Sequence, residues 1–192
     1  RIAAKHAQIL GGRDVKRARL GAVCDIVAER AETLGAKHGV PHFTDMHAMM
    51  DAHGGDVDVI CVLTESGLHA EHTIALSRYG KHIVVEKPMA LTLRDADEMI
   101  RVCDDAGIKL FVVKQNRYNL PVRKLRQALE AGRFGKLVMG TGRVRWKRDQ
   151  AYYDQDSWRG TWAMDGGVFA NQASHHIDLL EWCMGSAATV YA

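Results

Sequence analysis

The sequence predicts an α/β protein: a doubly wound parallel sheet over residues 1–115, followed over 116–192 by the start of an α+β domain with an antiparallel sheet. Two observations support this prediction. Up to residue 115, short apolar segments alternate with helix-like segments over short connections, which is typical of a parallel sheet covered by helices on both faces. Beyond residue 115 the alternation stops, and one longer segment has the alternating side chains of an antiparallel strand.

The parallel sheet begins with short elements. Because the chain starts in a helical pattern, we expect a fragment that lacks the first strand of this sheet and most of the sheet in the second domain. A strand is then predicted at 20–24, a helix at 26–38 that stops at Gly39, a short strand around Phe43 and a helical segment at 46–51.

The clearest strands lie in the second half of this domain. Apolar segments predict strands at 57–63, 83–85 and 108–113, with helices at 69–79 and at 93–106, the last with Thr92 as its N-cap. Parallel strands joined by right-handed crossovers place ligands outside the carboxyl ends of the strands. Lys87 follows one of these ends.

The second domain is predicted from a different pattern. Helices are expected at 120–131 and 168–184, an antiparallel strand at 137–147, and a long polar and aromatic loop between that strand and the second helix. Arginines and tryptophans in the strand and loop are candidates for ligand contacts; the alternative is an exposed strand and a packed aromatic loop. These candidates are Arg143, Arg145, Trp158, Arg159 and Trp162.

Composition narrows the class of protein. The 26 basic and 23 acidic residues are scattered and give a net charge of +3, which disfavours a nucleic-acid binder. No apolar segment is long enough to cross a bilayer, and no signal peptide is recognisable. The four cysteines, which favour reduced, buried thiols in a cytoplasmic protein over a disulfide framework, are Cys24, Cys61, Cys103 and Cys183.

Lys87 is the first candidate for chemistry. It lies between Glu86 and Pro88, directly after a buried strand. A partly desolvated ammonium in a cleft titrates below a surface lysine and can exchange a proton with a substrate hydroxyl. The alternative is a solvated lysine that happens to follow a strand.

A polar stripe on the last helix is the second candidate. Asn171, His175 and Asp178 are spaced i, i+4 and i+7, so they share one face, while apolar residues line the opposite side. An imidazole grouped with an amide and a carboxylate can supply a general acid or base with orienting partners. The alternatives are a solvent-exposed polar face and, much less favoured because no further ligand cluster accompanies it, a metal site.

Further candidates lie at other strand ends. Asp25 is placed to accept hydrogen bonds from an adenosine ribose, which favours NAD over NADP; capping of the next helix is the equal alternative. Thr64 and His69 flank a loop that is suited to a cofactor, or to a turn with a helix cap.

Taken together, three segments resemble one known family. VVEKPMALT at 84–92, NRYN at 116–119 and DGGVFANQASHHIDLLEW at 165–182 are similar to the Gfo/Idh/MocA family of nicotinamide-dependent oxidoreductases. Within it, YYDQDSWRGTWAMDGG at 152–167 is most similar to the nucleotide-sugar branch, the UDP-N-acetyl-2-amino-2-deoxyglucuronate dehydrogenases and their relatives. The resemblance covers essentially the whole chain.

The resemblance implies roles for particular residues. Lys87 is placed near the reacting carbon and the nicotinamide, His175 becomes the acid-base group, and Asp178 orients the imidazole or the substrate. Arg1 and Ile2 are expected to contact the cofactor pyrophosphate. The full sets implied are Arg1, Ile2, Asp25, Thr64, His69, Glu86 and Lys87 for the cofactor, and Trp158, Arg159, Trp162, Asn171 and Gln172 for the substrate.

The expected function is therefore NAD-dependent oxidation or reduction of a secondary alcohol in a sugar or nucleotide sugar, by a full-length protein that is a homo-oligomer. Asn171 replaces an aspartate of inositol-type members, and Glu65 and Asp165 depart from common family residues. The alternatives are an inositol or free-sugar dehydrogenase of this family and a non-catalytic NAD(P)-binding regulator.

Overall fold

The computed structural model describes residues 2–12 and 15–191. Its first part alternates strands and helices as the sequence predicts. The elements are α1 (Ile2–Gly11), β1 (Val23–Cys24), α2 (Ala28–His38), β2 (His42–Phe43), α3 (Met46–His53), β3 (Val59–Val62), α4 (His69–Ser77), β4 (His82–Val85), α5 (Leu93–Asp105) and β5 (Leu110–Val112).

Every strand pairing within residues 2–12 and 15–191 is parallel. The described strands form two sheets, β1 with β2, and β3–β4–β5 with β4 in the centre. The core lies on the second sheet, where Ile83 and Val85 of β4 are fully buried and pack with Met99 and Cys103 of α5. Because side chains alternate along a strand, the buried pair at 83 and 85 fixes the register of β4 and the position of its carboxyl end.

The start of α5 and the end of α2 have the predicted residues at their boundaries. The hydroxyl of Thr92 accepts a hydrogen bond from the backbone N–H of Asp95 at 3.1 Å, as predicted for the start of α5. At the end of α2, Gly39 adopts a left-handed conformation with φ 65°, which glycine adopts without steric cost.

The second part contains four helices in the described residues: α6 (Leu120–Glu130), α7 (Gln150–Tyr153), α8 (Gly167–Asn171) and α9 (Ser174–Met184). A single helical turn, Gln115–Tyr118, connects β5 to α6, and the predicted domain boundary falls in it. That boundary stays a prediction.

The predicted antiparallel strand at 137–147 is not formed. Val138 and Met139 are 88% and 82% exposed, and the described part of the chain offers no neighbouring strand with which this segment pairs. A strand exists only through ladder hydrogen bonds, so an alternating pattern without a partner remains an extended segment.

The predicted helix at 168–184 is broken in two. The backbone N–H groups of Gln172 and Ala173 both donate to the carbonyl of Val168, at 2.9 and 2.8 Å, so the regular i to i−4 series stops between α8 and α9. The burial of the two faces is also the reverse of an ordinary amphipathic helix. The polar stripe is buried, while Phe169, Ile177, Leu180 and Met184 are exposed.

Three findings bear on the class of protein. In the part of the chain that the structure describes, no helix is long and apolar enough to cross a membrane. Among those residues, no three His, Cys, Asp or Glu side chains come together as a metal site. The four cysteines are free, but only Cys103 is buried, so the prediction of uniformly buried thiols is wrong.

Candidate active site

Lys87 lies directly after β4 and reaches across to α8. Its ammonium donates hydrogen bonds to the backbone carbonyl and to the side-chain Oδ1 of Asn171, both at 2.8 Å. Burial lowers the pKa of Lys87 below its ordinary value, although the carboxylates of Glu86 and Asp165 oppose that change. The solvated lysine of the alternative interpretation is therefore not what the structure shows.

Asn171 joins Lys87 to a carboxylate that the sequence did not place in the site. Its side-chain NH₂ donates to Oδ1 of Asp165, and Oδ2 of Asp165 accepts from the backbone N–H of Gly160 at 2.7 Å. Asn171 and Asp165 are both buried. The loop before α8 thus contributes a buried carboxylate one side chain away from the lysine.

His175 lies one turn after Asn171 and is also buried. The side-chain amide nitrogen of Gln115 lies 3.3 Å from its Nε2, and Nδ1, itself buried, has no hydrogen-bond partner within the described residues. Burial lowers the pKa of His175, and the Lys87 and Lys114 cations lower it further. The imidazole is therefore neutral near pH 7 and able to accept a proton.

Asp178 has a different partner from the expected one. Its carboxylate accepts two hydrogen bonds from the guanidinium of Arg117, at 2.7 and 2.8 Å, and Lys114 lies 3.8 Å away. Such a bidentate ion pair fixes the relative position of the two side chains. Asp178 therefore holds α9 against the turn after β5, and its role in orienting the imidazole or the substrate stays a prediction.

Glu86 faces α1. One carboxylate oxygen lies 3.1 Å from Nε2 of His6 and the other accepts from the backbone N–H of Lys87 at 3.1 Å. Burial alone raises the pKa of Glu86, but these hydrogen bonds outweigh it and the pKa falls. Contacts with the Cys61 thiol and then with Glu86 raise the pKa of His6 to about 9. Glu86 thus carries charge inside the protein, beside the lysine.

His69 does not fit its predicted contact with a cofactor. It is 1% exposed, and its two ring nitrogens lie 2.7 Å from the carbonyl oxygen of Pro88 and 3.1 Å from that of Thr64. Both nitrogens are thus occupied by backbone, and the ring links the loops after β3 and β4. The Thr64 hydroxyl lies 3.0 Å from Nδ1 of His72.

Asp25 sits at a strand end, and its carboxylate makes a local turn contact before α2, whose N-cap residue Val27 has no side-chain cap hydrogen bond. Its Oδ1 accepts from the backbone N–H of Val27 at 2.9 Å, immediately after β1. Ile2 begins α1 and is exposed. Arg1 lies outside the described residues. Contacts of Asp25 and Ile2 with a cofactor stay predictions.

Polar groups suited to a dinucleotide follow the carboxyl ends of the parallel strands. Asp25, Thr64 and Lys87 follow the carboxyl ends of parallel strands, where dinucleotides bind in doubly wound sheets. An ammonium has three N–H donors, and the Asn171 contacts use two of those on Lys87. This leaves one N–H of Lys87 that a nicotinamide cofactor or its substrate can accept from.

A cavity of about 440 Å³ adjoins this site through Asp165. Arg159 and Gln172, two of the predicted substrate residues, lie on its wall, and both donate to the hydroxyl of Tyr152, at 2.9 and 2.8 Å. The Cζ atom of Arg159 lies over the ring of Trp158, 4.8 Å from the ring centroid. Trp162 is 84% exposed beside Gly167 and does not line the cavity. The lining residues are Gln150, Tyr153, Arg159, Gly160, Asp165, Gly167, Val168 and Gln172.

Two family models match the chain. Residues 1–114 match the oxidoreductase family with an NAD-binding Rossmann fold, described as GFO_IDH_MocA. Residues 122–192 match the GFO/IDH/MocA C-terminal domain. The two matches divide the chain close to the turn after β5.

Solved structures of similar proteins come from bacteria. The WlbA dehydrogenase of Bordetella pertussis, in complex with NADH and UDP-GlcNAcA, is 42% identical with a TM-score of 0.89, covering 96% of this chain and 57% of that one. The Chromobacterium violaceum WlbA dehydrogenase, with the same two ligands, is 41% identical with a TM-score of 0.90, covering 96% and 52%.

Among curated proteins, the myo-inositol 2-dehydrogenase of Thermotoga maritima is 31% identical over 188 residues, which cover 96% of this chain and 52% of that protein. The chain thus spans about half the length of the relatives that it matches along most of its own length.

Proposed function

The chain belongs to the Gfo/Idh/MocA family of oxidoreductases, and we propose that the protein is an NAD-dependent dehydrogenase acting on a secondary alcohol of a nucleotide-linked sugar. The convergence of Lys87 and His175 carries this proposal. Lys87 and His175 lie in the parts of the chain that match the two different family models, both are withdrawn from solvent, and the cation on Lys87 lowers the pKa of the imidazole. Such a pair can share one substrate hydroxyl.

His175 and Lys87 have different roles in the proposed reaction. His175, neutral because burial lowers its pKa, accepts the proton of the alcohol. Lys87, held by Asn171, directs its remaining N–H to the same oxygen and stabilises the negative charge that develops there. A bound nicotinamide supplies the acceptor for the hydride that leaves the alcohol carbon.

The choice of a nucleotide sugar is supported by two observations. The WlbA structures contain UDP-GlcNAcA, and in this chain the cavity beside Asp165 carries the Arg159 guanidinium on its wall. A guanidinium suits a carboxylate or a diphosphate. Inositol is the second candidate, because the Thermotoga maritima relative is a myo-inositol 2-dehydrogenase.

A substrate panel tests the proposal. The full-length protein is mixed with NAD and, separately, with UDP-GlcNAcA, free sugars and inositols, and NADH formation is followed by absorbance. We expect turnover with the nucleotide sugar and little with the others. Turnover with inositol alone would shift the assignment to the second candidate, and no NADH with any compound would reject the dehydrogenase.

Asp25 is expected to set cofactor preference. Replacing it with alanine removes a carboxylate that repels a 2′-phosphate, so the ratio of kcat/KM for NAD to that for NADP should fall by roughly tenfold or more. Asp45→Ala is the matched control, since Asp45 also accepts a backbone N–H, from Ala48 at 2.7 Å, at the start of a helix. If both variants leave the ratio unchanged, Asp25 serves the turn after β1 and does not select the cofactor.

We further propose a cytoplasmic homo-oligomer for the full-length protein, as the family resemblance implies. Sedimentation of the purified protein and fractionation of the source cells would test the two statements. A monomer at micromolar concentration would reject the first, and recovery outside the cytoplasmic fraction the second.

A further inference from the structure

We propose that Asp165 is a positioning residue for Lys87: it sets the orientation of the Asn171 amide and thereby fixes the ammonium that faces the substrate. The kinetic consequence of this inference rests on the proposed function, but the structural consequence does not. Asp165 itself contacts Asn171 and Gly160, not the lysine.

The orientation follows from donor and acceptor chemistry. An ionised carboxylate only accepts hydrogen bonds, so the end of the Asn171 amide that faces Asp165 is the NH₂ group. Its Oδ1 is then turned to Lys87, which donates to it at 2.8 Å. Amide oxygen and nitrogen are otherwise close to interchangeable in shape, so the carboxylate is what selects one of the two orientations.

The selected orientation decides what Lys87 can do. With Oδ1 facing the lysine, the ammonium gives two N–H groups to Asn171 and keeps the third for another partner. In the flipped orientation the NH₂ of Asn171 would point at the ammonium, donor against donor. The lysine would then lose one of its two anchors.

Charge acts in the same direction. Burial lowers the pKa of Lys87, the carboxylates of Glu86 and Asp165 raise it, and the cations of Lys114 and Arg159 lower it. Removing the negative charge at 165 therefore favours the neutral amine. Asp165 is 5% exposed, so solvent screens this effect only weakly.

Mutation can swap the carboxylate of Asp165 and the amide of Asn171. In Asp165→Asn, an NH₂ group turned to Gly160 meets the backbone N–H donor there. An NH₂ group turned to Asn171 meets the NH₂ of that residue, and if the Asn171 amide flips in response, its NH₂ meets the Lys87 ammonium. In Asn171→Asp, two carboxylates face each other. In the double variant D165N/N171D, the new amide can accept from Gly160 and donate to the new carboxylate, which in turn accepts from Lys87. All the side-chain hydrogen bonds of the wild type are thus available again.

The test combines turnover with a titration of Lys87. Each single variant should lower kcat by roughly tenfold or more, the loss expected for one hydrogen bond to a charged group, and NAD binding measured by calorimetry should persist. D165N should also lower the pKa of Lys87, followed by NMR of its ¹³C-labelled ε-carbon. The double variant should recover most of kcat and return the titration to the wild-type pKa or above it.

Asp154→Asn is the matched control. Its carboxylate accepts from the side-chain amide of Gln150 at 2.8 Å, a similar pair in the same loop but exposed to solvent, and the variant should leave kcat and the Lys87 titration unchanged.

The inference is overturned if D165N leaves the Lys87 titration unchanged, or if the double variant is no better than either single one. If D165N fails to fold, comparison of N171D with the double variant carries the test. Absence of turnover in the wild type rejects the proposed function, and the NMR titration then decides alone on the positioning role.

Discussion

Replacing Lys87 with methionine lowers turnover of the full-length protein by roughly 10²-fold or more, while the affinity for NAD changes little. Methionine keeps an apolar stem in the partly buried position but removes all three N–H donors. The two hydrogen bonds to Asn171 and the group offered to the substrate oxygen are lost together. Steady-state kinetics and calorimetric titration with NAD measure the two quantities.

Lys109→Met is the control for Lys87. Lys109 is exposed and precedes β5, at the amino end of a neighbouring strand, so its loss should leave turnover near that of the wild type. Lys87→Arg provides a second comparison. It keeps the positive charge but changes the donor geometry, so we expect it to be impaired as well. Near-normal turnover in Lys87→Met would remove this residue from the chemistry.

Replacing His175 with asparagine lowers turnover by roughly 10² to 10⁴-fold, the range for loss of a general acid-base group. The adjacent His176 is the matched control. It lies on the same helix, but its ring packs edge-on against Trp146 with centroids 5.5 Å apart. His176→Asn should therefore retain most activity. Equal losses in the two variants would indicate damage to α9 rather than loss of a base.

The pH dependence of alcohol oxidation follows from the same two groups. Burial lowers the pKa of His175 below its ordinary 6.5, so kcat/KM should stay high down to pH 6.5 and fall only when the imidazole becomes protonated at lower pH. Burial also lowers the pKa of Lys87 below its ordinary 10.5, so activity should fall on the alkaline side as the ammonium loses its proton. An acid limb that survives in His175→Asn would contradict this assignment.

The strands that position Lys87 were predictable because their signal is local. The β-branched segment at 83–85 and the apolar segment around β3 stand out from their polar neighbours, so short apolar segments located the carboxyl edge of the sheet. The segment at 137–147 has an alternating pattern that is just as local. It is not a strand because pairing depends on a neighbour that is distant in sequence.

The residues that form the polar stripe were predictable from the sequence, but their burial was not. Spacing placed Asn171, His175 and Asp178 on one side, although the helix breaks between the first and the second. The sequence could not show that this side is buried against the strand ends, since burial of polar groups requires partners from other segments.

Those partners were the residues that sequence reasoning missed. Gln115 and Arg117 follow β5 just as Lys87 follows β4, so the rule about carboxyl ends of parallel strands was the available signal. Asp165 was noticed only as a departure from a family pattern, and its bond to Asn171 joins two loops without a local signature. His6 contacts Glu86, 80 residues away in the sequence, and no sequence periodicity predicts such a contact.

The most direct test of the account is a crystal structure of the full-length protein with NAD and UDP-GlcNAcA bound. We expect one sugar hydroxyl to lie within hydrogen-bond reach, about 2.6–3.2 Å, of both Nζ of Lys87 and the imidazole of His175. A bound sugar that contacts neither group, or that lies against one while the other faces away from it, would contradict a shared role in the reaction.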